Sequence, residues 1–349
     1  MKKVICLGGG PSQLCVIYSA LRLNLDLIVV DKKIYEESKK FSSLFINEST
    51  YEPENIFNEL KNNNIENIIG ILNRSSGIPV LTNAKLASLI GLQTYSINTG
   101  NLLISKVNMN NTLKSKDIKI PESVKLANNI DFQKLNYPYV LKPDIKTTSD
   151  KGVYYIDCYK NLEKYKKLFP KFKIIKDEYI EGRDICFGAI ISNKKLLPLV
   201  ILEQFHEING FGEIMIKGMC AIPYDFDKEL FEKLIYESKK VLKNLEIDNS
   251  FFWISFRYNS QKELYFIELH LDIGGDFILD FLLPVATGNE NIIDEFIKIY
   301  LYGEKHYNGM LNLNFTTIEY DKGKKISKDG RNLSINKHSS YNLASKVFK

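Results

Sequence analysis

The amino-acid sequence predicts an α/β protein that opens with a doubly wound parallel unit and continues into α+β units. Apolar runs of strand length alternate with segments whose apolar residues recur every three or four positions. The first apolar run passes directly into a glycine turn at 8–10, which is typical of a doubly wound unit. Because 349 residues exceed the size of one hydrophobic core, we expect two or three packed units.

The opening unit begins as a strand, a turn, a helix and a second strand. These elements are predicted at 4–7, 8–13, 15–21 and 27–31. The second strand ends in Asp31, and Gln13 occupies the place of the third glycine in a dinucleotide-binding motif. The pattern therefore favours a tight strand-to-helix turn over a dinucleotide site.

The rest of the chain continues to alternate between helical and strand patterns. The predicted helices are 55–61, 84–92, 106–114, 162–169 and 226–245; the predicted strands are 65–72, a pair within 132–157 around Lys142, and 172–179. A turn is predicted at 77–79. The sequence contains no internal repeat and no low-complexity linker, so we expect the units to pack directly against each other.

Composition and charge argue against several classes of protein. Hydrophobic residues make up 44% and charged residues 26%, and no apolar run has the length of a membrane span. Much of the net charge of +5 lies in 322–331 and 346–349, which lack aromatic platforms, so a solvated surface is favoured over nucleic-acid contact. The start carries no cleavage signal, and we expect a cytoplasmic protein. The five scattered cysteines are expected to be buried free thiols.

One strand in the second half of the chain has polar side chains at every second position. Glu268, His270 and Asp272 alternate with Leu269 and Leu271, and two glycines follow. Alternate side chains of a strand point to one face, so the three polar groups should lie together over an aliphatic layer. Such a face can bind a divalent metal or carry acid and base chemistry. The alternative is the solvent-facing side of an amphipathic strand, and this segment alone leaves both open.

A single lysine stands at the end of another apolar strand. Lys142 follows the apolar run and precedes Pro143, which stops the strand. The next loop, 146–153, is small and polar and contains Ser149, so its hydroxyl and N–H groups would cover a polyphosphate whose oxygens meet the lysine. The alternative is a surface lysine before an exposed hairpin.

An acid-rich segment follows this lysine. It is predicted to be a strand that crosses into the next unit through Asp177, Glu178, Tyr179 and Ile180, with Asp184 just beyond a glycine. Backbone groups of such a hinge usually bind an adenine, and a carboxylate beyond it can accept hydrogen bonds from ribose hydroxyls. A nucleotide site requires such a segment in addition to a phosphate-binding lysine, and the sequence contains both.

The order of these motifs resembles that of the ATP-grasp superfamily, in its carbamoyl-phosphate-synthase-like and amino-acid-ligase-like branches. The resemblance covers nearly the whole chain and includes the glycine turn with Asp31, a lysine motif at 105–109, and the segments 140–143, 177–182 and 268–276. It implies a Rossmann-like pre-ATP-grasp domain at 1–102, a two-lobed α+β ATP-grasp domain at 103–303 with a small lid lobe at about 125–177, and an extension at 304–349 packed on the core.

The same resemblance implies the cofactors and their contacts. ATP and Mg²⁺ are implied, with Mn²⁺ as the alternative ion. Lys106 and Lys142 would contact phosphates, and Glu268 would bind the metal. The other implied nucleotide-binding residues are Ser149, Asp177, Glu178, Tyr179, Ile180 and Asp184.

The metal strand departs from the family pattern. The family usually has Glu-x-Asn-x-Arg where this chain has Glu268, His270 and Asp272, all three of which we treat as candidate metal ligands. His270 would bind a softer ion, hydrogen-bond a phosphate or fix Glu268; Asp272 would join the metal shell or face a positively charged acceptor. The family's second metal carboxylate would fall near Ser255. Arg257 would reach the nucleotide or acyl phosphate, or form a surface ion pair. Arg257, His270 and Asp272 are the candidate catalytic residues.

The activity implied by the resemblance is ATP-dependent ligation of a small-molecule carboxylate to an amine or thiol. It would proceed through an acyl phosphate and release ADP and phosphate. The alternatives are an ATP-binding regulatory or partner protein with altered catalysis, and a kinase-like or carboxylase-like enzyme. We expect small-molecule partners and no membrane, with a homodimer as the assembly to test. The loop 208–213 is predicted either to line the substrate site or to be an ordinary strand connection.

Overall fold

The first unit is a four-stranded parallel sheet with strand order β3-β2-β1-β4. The computed structural model describes residues 2–114, 116–126, 137–144, 152–158, 161–162, 165, 174–321 and 332–348. The elements of this unit are β1 Lys3–Leu7, α1 Leu14–Arg22, β2 Asp26–Val30, α2 Glu36–Phe41, β3 Leu44–Ile46, α3 Pro53–Asn62, β4 Ile68–Asn73 and α4 Ile78–Ile90.

Helices cover both faces of this sheet. Val4 and Cys6 belong to the core that contains α1, whereas Ile5 and Leu7 belong to the core that contains α3 and α4. Burial on both faces explains why the strands read as continuous apolar runs. After β1 the chain makes the predicted tight turn, which is closed by a 2.8 Å hydrogen bond from the Gly9 N–H to the Asp31 carboxylate.

The predicted turn at 77–79 is wrong, because Ile78 and Pro79 form the first turn of α4. Proline is tolerated there, since the first N–H groups of a helix have no intrahelical partner and the proline ring already has a helical φ. Gly91, in a left-handed conformation, ends the helix. The helix therefore starts before the predicted segment 84–92.

The second unit is a small antiparallel sheet with strand order β5-β8-β6-β7. Its elements are α5 Ile97–Ile104, α6 Lys106–Lys114, β5 Ser123–Lys125, β6 Tyr139–Pro143, β7 Tyr154–Ile156 and β8 Ile174–Glu178. The strand pair predicted around Lys142 is β6 with β7. The predicted helix at 162–169 lies mostly outside the described residues. The predicted domain boundary at 102 falls within α5, and the domain limits remain a prediction.

The third unit is a seven-stranded antiparallel sheet with strand order β13-β12-β9-β10-β11-β14-β15. Its elements are β9 Arg183–Ser192, β10 Lys195–Ile208, β11 Ile214–Ile222, α7 Lys228–Asn244, β12 Ser250–Tyr258, β13 Leu264–His270, a π-helix Ile278–Leu282, α8 Leu283–Thr287, α9 Ile292–Tyr302, β14 Phe315–Asp321, β15 Asn332–His338 and α10 Tyr341–Lys346. Two single-turn 3-10 helices, Pro11–Gln13 and Glu304–His306, complete the elements of the described residues. The last two strands extend this sheet, because β14 pairs with β11.

The large sheet separates two hydrophobic cores and leaves one polar area. On one face Phe187, Phe252 and Ile254 pack with α7, and on the other Leu202 and Trp253 pack with α9 and the first unit. Further along this second face the apolar cover ends. Polar side chains from four neighbouring strands lie there: Asp184, Gln204, His206, Ser255, Arg257, Glu268 and His270.

The cysteine prediction is correct in part. All five thiols are free; Cys6, Cys186 and Cys220 are buried, and burial raises the pKa of each to about 12. Cys158 is exposed and Cys15 is only partly buried, so the expectation of burial is wrong for these two. Within the described part of the chain, no helix combines the length and the apolar character that crossing a bilayer requires.

Candidate active site

A cleft of about 450 Å³ lies between the small sheet and the polar area of the large sheet. Almost every residue that the sequence singles out contributes to its lining. These residues are Lys106, Lys142, Asp177, Glu178, Tyr179, Ile180, Asp184, Arg257, Glu268, His270 and Asp272. Ser149, the remaining candidate, lies outside the described residues. The structure therefore brings residues from five separate segments, around 106, 142, 177–184, 257 and 268–272, into one cavity.

The phosphate-lysine candidate is buried in the wall of this cleft. Lys142, at the end of β6, is 7% exposed, and its ammonium forms an ion pair with the carboxylate of Asp177 on β8. The Ser123 hydroxyl donates a 2.6 Å hydrogen bond to the same carboxylate. The side chain of Asp177 thus neutralises the lysine that is predicted to meet the phosphates, while the adenine-binding role of the hinge backbone at 177–180 stays a prediction.

Asp184, the ribose candidate, lies between the side chains of Arg257 and His206. Arg257 Nε lies 3.0 Å from one carboxylate oxygen, and His206 Nδ1 lies 2.8 Å from the other. The guanidinium of Arg257 also donates to the Gly182 carbonyl at 3.1 Å and lies 5.8 Å from the centroid of the Tyr179 ring. Arg257 thus ties together the hinge between the two sheets.

We call β13, which carries Glu268 and His270, the acidic strand; Asp272 lies two residues beyond its end, and the side chains alternate as the sequence predicts. Leu269 and Leu271 are buried behind it. His270 Nε2 lies 3.2 Å from Glu268 Oε1, and the Asp272 carboxylate accepts a 2.8 Å hydrogen bond from the Gly274 N–H while its other oxygen lies 3.9 Å from His270 Nδ1. Of the three roles considered for His270, this geometry favours fixing Glu268.

The described side chains around Glu268 do not complete a metal site by themselves. Ser255 pairs directly with Glu268 across β12 and β13; that this serine occupies the place of the family's second metal carboxylate stays a prediction. Among the described residues, no group of three His, Cys, Asp or Glu side chains is arranged to hold a metal ion by itself. Phosphate oxygens would have to complete the coordination, and the three candidate ligands remain a prediction.

Arg74 is a cleft residue that sequence reasoning missed. It follows β4 of the first unit and is buried; its Nε donates a 2.6 Å hydrogen bond to the Gly274 carbonyl, and its two terminal nitrogens bind the Asp280 carboxylate. Burial alone would lower the pKa of Arg74, but the hydrogen bonds to Asp280 and the neighbouring Cys15 and Asp272 raise it above the ordinary value. The first unit therefore holds the turn that follows the acidic strand.

We expect Arg74→Met to lower the free energy of unfolding by about 3 kcal/mol, because the change leaves Asp280 without its partner. Lys195→Met is the control: Lys195 lies 2.6 Å from the carboxylate of Glu304, and the side chains of both residues are more than half exposed. Such a pair contributes less than about 1 kcal/mol. Urea unfolding measures both variants, and equal losses would show that the Arg74 contact has no special weight.

Two glycines enclose the indole of Trp253. A Cβ atom on Gly188 would lie 2.4 Å from the ring, and one on Gly274, whose φ is +105°, would lie 2.8 Å from it. Neither position has room for a side chain, and Gly274 also needs a backbone conformation that other residues rarely adopt. Gly275 has open space instead. Of the two glycines that follow the acidic strand, Gly274 is therefore the one that the packing against Trp253 requires.

The loop 208–213 is an ordered turn outside the cleft lining. The side-chain oxygen of Asn209 accepts hydrogen bonds from the N–H groups of Phe211 and Glu213, at 2.9 and 3.0 Å. Tyr155 of the small sheet donates its N–H to the Gly212 carbonyl at 2.8 Å. The cleft lining resumes at Ile214. The loop joins β10 to β11 of the large sheet and contacts the small sheet through Tyr155, and its substrate-lining role stays a prediction.

Comparison with known proteins gives this geometry a context. The model of the ATP-grasp domain family matches residues 104–270. A D-alanine–D-alanine ligase of Petrotoga mobilis is 38% identical over 90 residues; the match covers 25% of this chain and spans only 29% of the length of that curated relative.

Solved structures are similar over the whole chain. An L-amino acid ligase from Bacillus licheniformis has a TM-score of 0.79 at 16% identity, covering 100% of this chain and 96% of its own. The N5-carboxyaminoimidazole synthetase of Staphylococcus aureus in complex with ADP has a TM-score of 0.78 at 15% identity, with coverages of 99% and 95%. Similarity at this identity establishes the fold. The resemblance drawn from the motifs is confirmed: residues 104–270 match the ATP-grasp domain family, and a unit with a parallel sheet precedes them.

Proposed function

We propose that the protein is an ATP-dependent ligase that joins a small-molecule carboxylate to an amine or thiol. The observation that carries this proposal is that one cleft contains a buried lysine, Lys142, on one sheet and the acidic group of Glu268 on the other. The Petrotoga mobilis relative and the Bacillus licheniformis neighbour, both ligases by name, support it. We further propose a cytoplasmic location.

The cleft residues fit a magnesium nucleotide. Lys142 lies on the small-sheet wall and Glu268 on the large-sheet wall, and the Lys142 ammonium is already paired with a carboxylate that a phosphate could replace. Lys106 and Lys142 would contact phosphate oxygens, the hinge 177–180 the adenine, and Glu268 the ion. Mg²⁺ would neutralise phosphate charge, and Mn²⁺ is the alternative because His270 is a softer donor.

The reaction would proceed in two steps. A carboxylate oxygen of the substrate attacks the terminal phosphorus of ATP, and ADP leaves; the amine then attacks the acyl carbon, and phosphate leaves as the amine loses a proton. Arg257 would face the transferred phosphoryl group from its position on Asp184. His270, beside two carboxylates, would accept the proton that the attacking neutral amine loses, and Asp272 would orient that amine by accepting a hydrogen bond from its N–H.

Two other functions each have one observation in their favour. Ser255 opposite Glu268 favours an ATP-binding regulatory or partner protein with altered catalysis, because it supplies no second carboxylate. The similarity to a carboxyaminoimidazole synthetase favours carboxylase-like or kinase-like chemistry on the same fold.

The test is product formation. The pure protein is incubated with ATP, Mg²⁺ or Mn²⁺, and pools of small carboxylates and amines. We expect metal-dependent ADP release that requires one acceptor, with a product mass equal to the two substrates less one water. Tight ATP binding without turnover in any pool would support the regulatory alternative, and a stable phosphorylated or carboxylated product would support the third function.

A further inference from the structure

Asp144 joins the phosphate-lysine strand to the helix that carries the other lysine. It follows β6 and is 5% exposed. Its Oδ1 accepts hydrogen bonds from the Ser105 hydroxyl at 2.9 Å and from the Val107 N–H at 3.2 Å, and its backbone carbonyl accepts one from the Lys106 N–H at 3.2 Å. One residue thus contacts three consecutive residues at the start of α6.

Its place in the strand explains why this contact matters. Lys142 and Asp144 are two residues apart, and Pro143 between them is the last residue of β6. Lys142 faces Asp177, whereas Asp144 faces the first turn of α6. The short segment 142–144 therefore fixes one lysine directly and the backbone of Lys106 through hydrogen bonds.

The Asp144 carboxylate is also favourably placed at the N-terminal end of α6. The first N–H groups of a helix have no intrahelical partner, and the partial positive charge there attracts a carboxylate. Ser105 satisfies one such group, since its hydroxyl accepts from the Asn108 N–H at 3.2 Å. Asp144 supplies the acceptor for the Val107 N–H, although it follows strand β6 and is not part of the helix. Lys125, 3.9 Å away and half exposed, adds only a surface ion pair.

We propose that Asp144 is a positioning residue that fixes Lys106 relative to Lys142, so that both lysines meet one polyphosphate. The inference rests on the proposed function in that a nucleotide phosphate is the ligand. Without the Asp144 carboxylate, the start of α6 would lose the hydrogen bonds of Ser105 and Val107 and keep only the backbone bond from Lys106, so the Lys106 side chain would sample more orientations before it bound. The cost would appear in nucleotide affinity.

Calorimetric titration with a non-hydrolysable ATP analogue and Mg²⁺ tests this proposal. We expect Asp144→Ala to weaken binding about tenfold, and Asp144→Asn to weaken it less, because an amide oxygen still accepts from Val107. Lys125→Ala is the matched control and should bind as the wild type does. In a Lys106→Ala background, Asp144→Ala should cause almost no further loss, because the lysine that it positions is gone.

The possible failures are distinguishable. A wild-type protein that binds no nucleotide contradicts the proposed function and this inference together. Equal affinities of the wild type and Asp144→Ala overturn the inference alone, as do fully additive losses in the double variant. Urea unfolding identifies a variant that does not fold. In that case Asp144→Ser, whose side chain is too short to reach Val107, takes its place with the same expected outcomes.

Discussion

Lys142→Ala is expected to lower nucleotide affinity and turnover together. The lost ammonium would contact phosphate in both the bound and the transition state, and a hydrogen bond to a charged group contributes about 1.5 to 3 kcal/mol. We therefore expect the dissociation constant of the ATP analogue to rise roughly tenfold to a hundredfold. Titration calorimetry measures this constant, and steady-state ADP release measures turnover.

The ion pair with Asp177 makes a second variant necessary. In the part of the chain that the structure describes, Lys142→Ala leaves the buried carboxylate of Asp177 with the Ser123 hydroxyl as its partner, so the variant would also lose stability. Asp177→Asn in the same chain removes the unpaired charge, and we expect it to restore stability without restoring binding. Lys176→Ala, on the adjacent strand and facing Tyr139, is the matched control. Unchanged binding in Lys142→Ala would remove this lysine from the site.

Glu268→Gln should leave the fold intact and reduce metal-dependent ADP release by at least about a hundredfold, because the amide keeps the size of the side chain and loses the charge that binds the cation. His270, at 3.2 Å, can still be satisfied by the amide oxygen. Turnover is measured across a range of Mg²⁺ and Mn²⁺ concentrations, since a weakened metal site shifts the concentration required as well as the maximum.

Glu263→Gln is the control for this change. Glu263 lies just before β13 and binds Lys119 at the surface, away from the cleft. An exposed pair of this kind contributes little, so the control should retain wild-type turnover. Full activity of Glu268→Gln would refute the metal assignment, and equal losses in both variants would point to a general effect of charge on the strand pair.

Local pattern was sufficient for the main features of the site. Glu268 and His270 could be assigned to one face because strand side chains alternate with a period of two, and Lys142 because a proline ends its apolar strand. The start of α4 could not be placed, since Pro79 is compatible with either a turn or a first helical turn.

Contacts between distant segments could not be predicted in this way. Arg74 binds Gly274 and Asp280, which lie 200 and 206 residues away, so no spacing in the sequence reveals the contact. His206 carries no sequence signal that names its partner. It meets Asp184 because β10 pairs with β9 at Gln204 and Asp184, and His206 lies two residues beyond that pair, with its Nδ1 2.8 Å from the carboxylate. The register of paired strands depends on turn geometry and tertiary packing rather than on one strand's sequence alone.

Trp253 is the chain's single tryptophan, and it lies at 6% exposure under the turn that leads out of the acidic strand. Its indole emission therefore comes from one known place, in a protein whose twenty tyrosines can be avoided by selective excitation. Gly188 and Gly274 leave the ring little freedom, so a change in its signal would report movement of the Gly274 turn itself. The fold thus contains a natural spectroscopic probe at the floor of the cleft, and ligand titrations require no label.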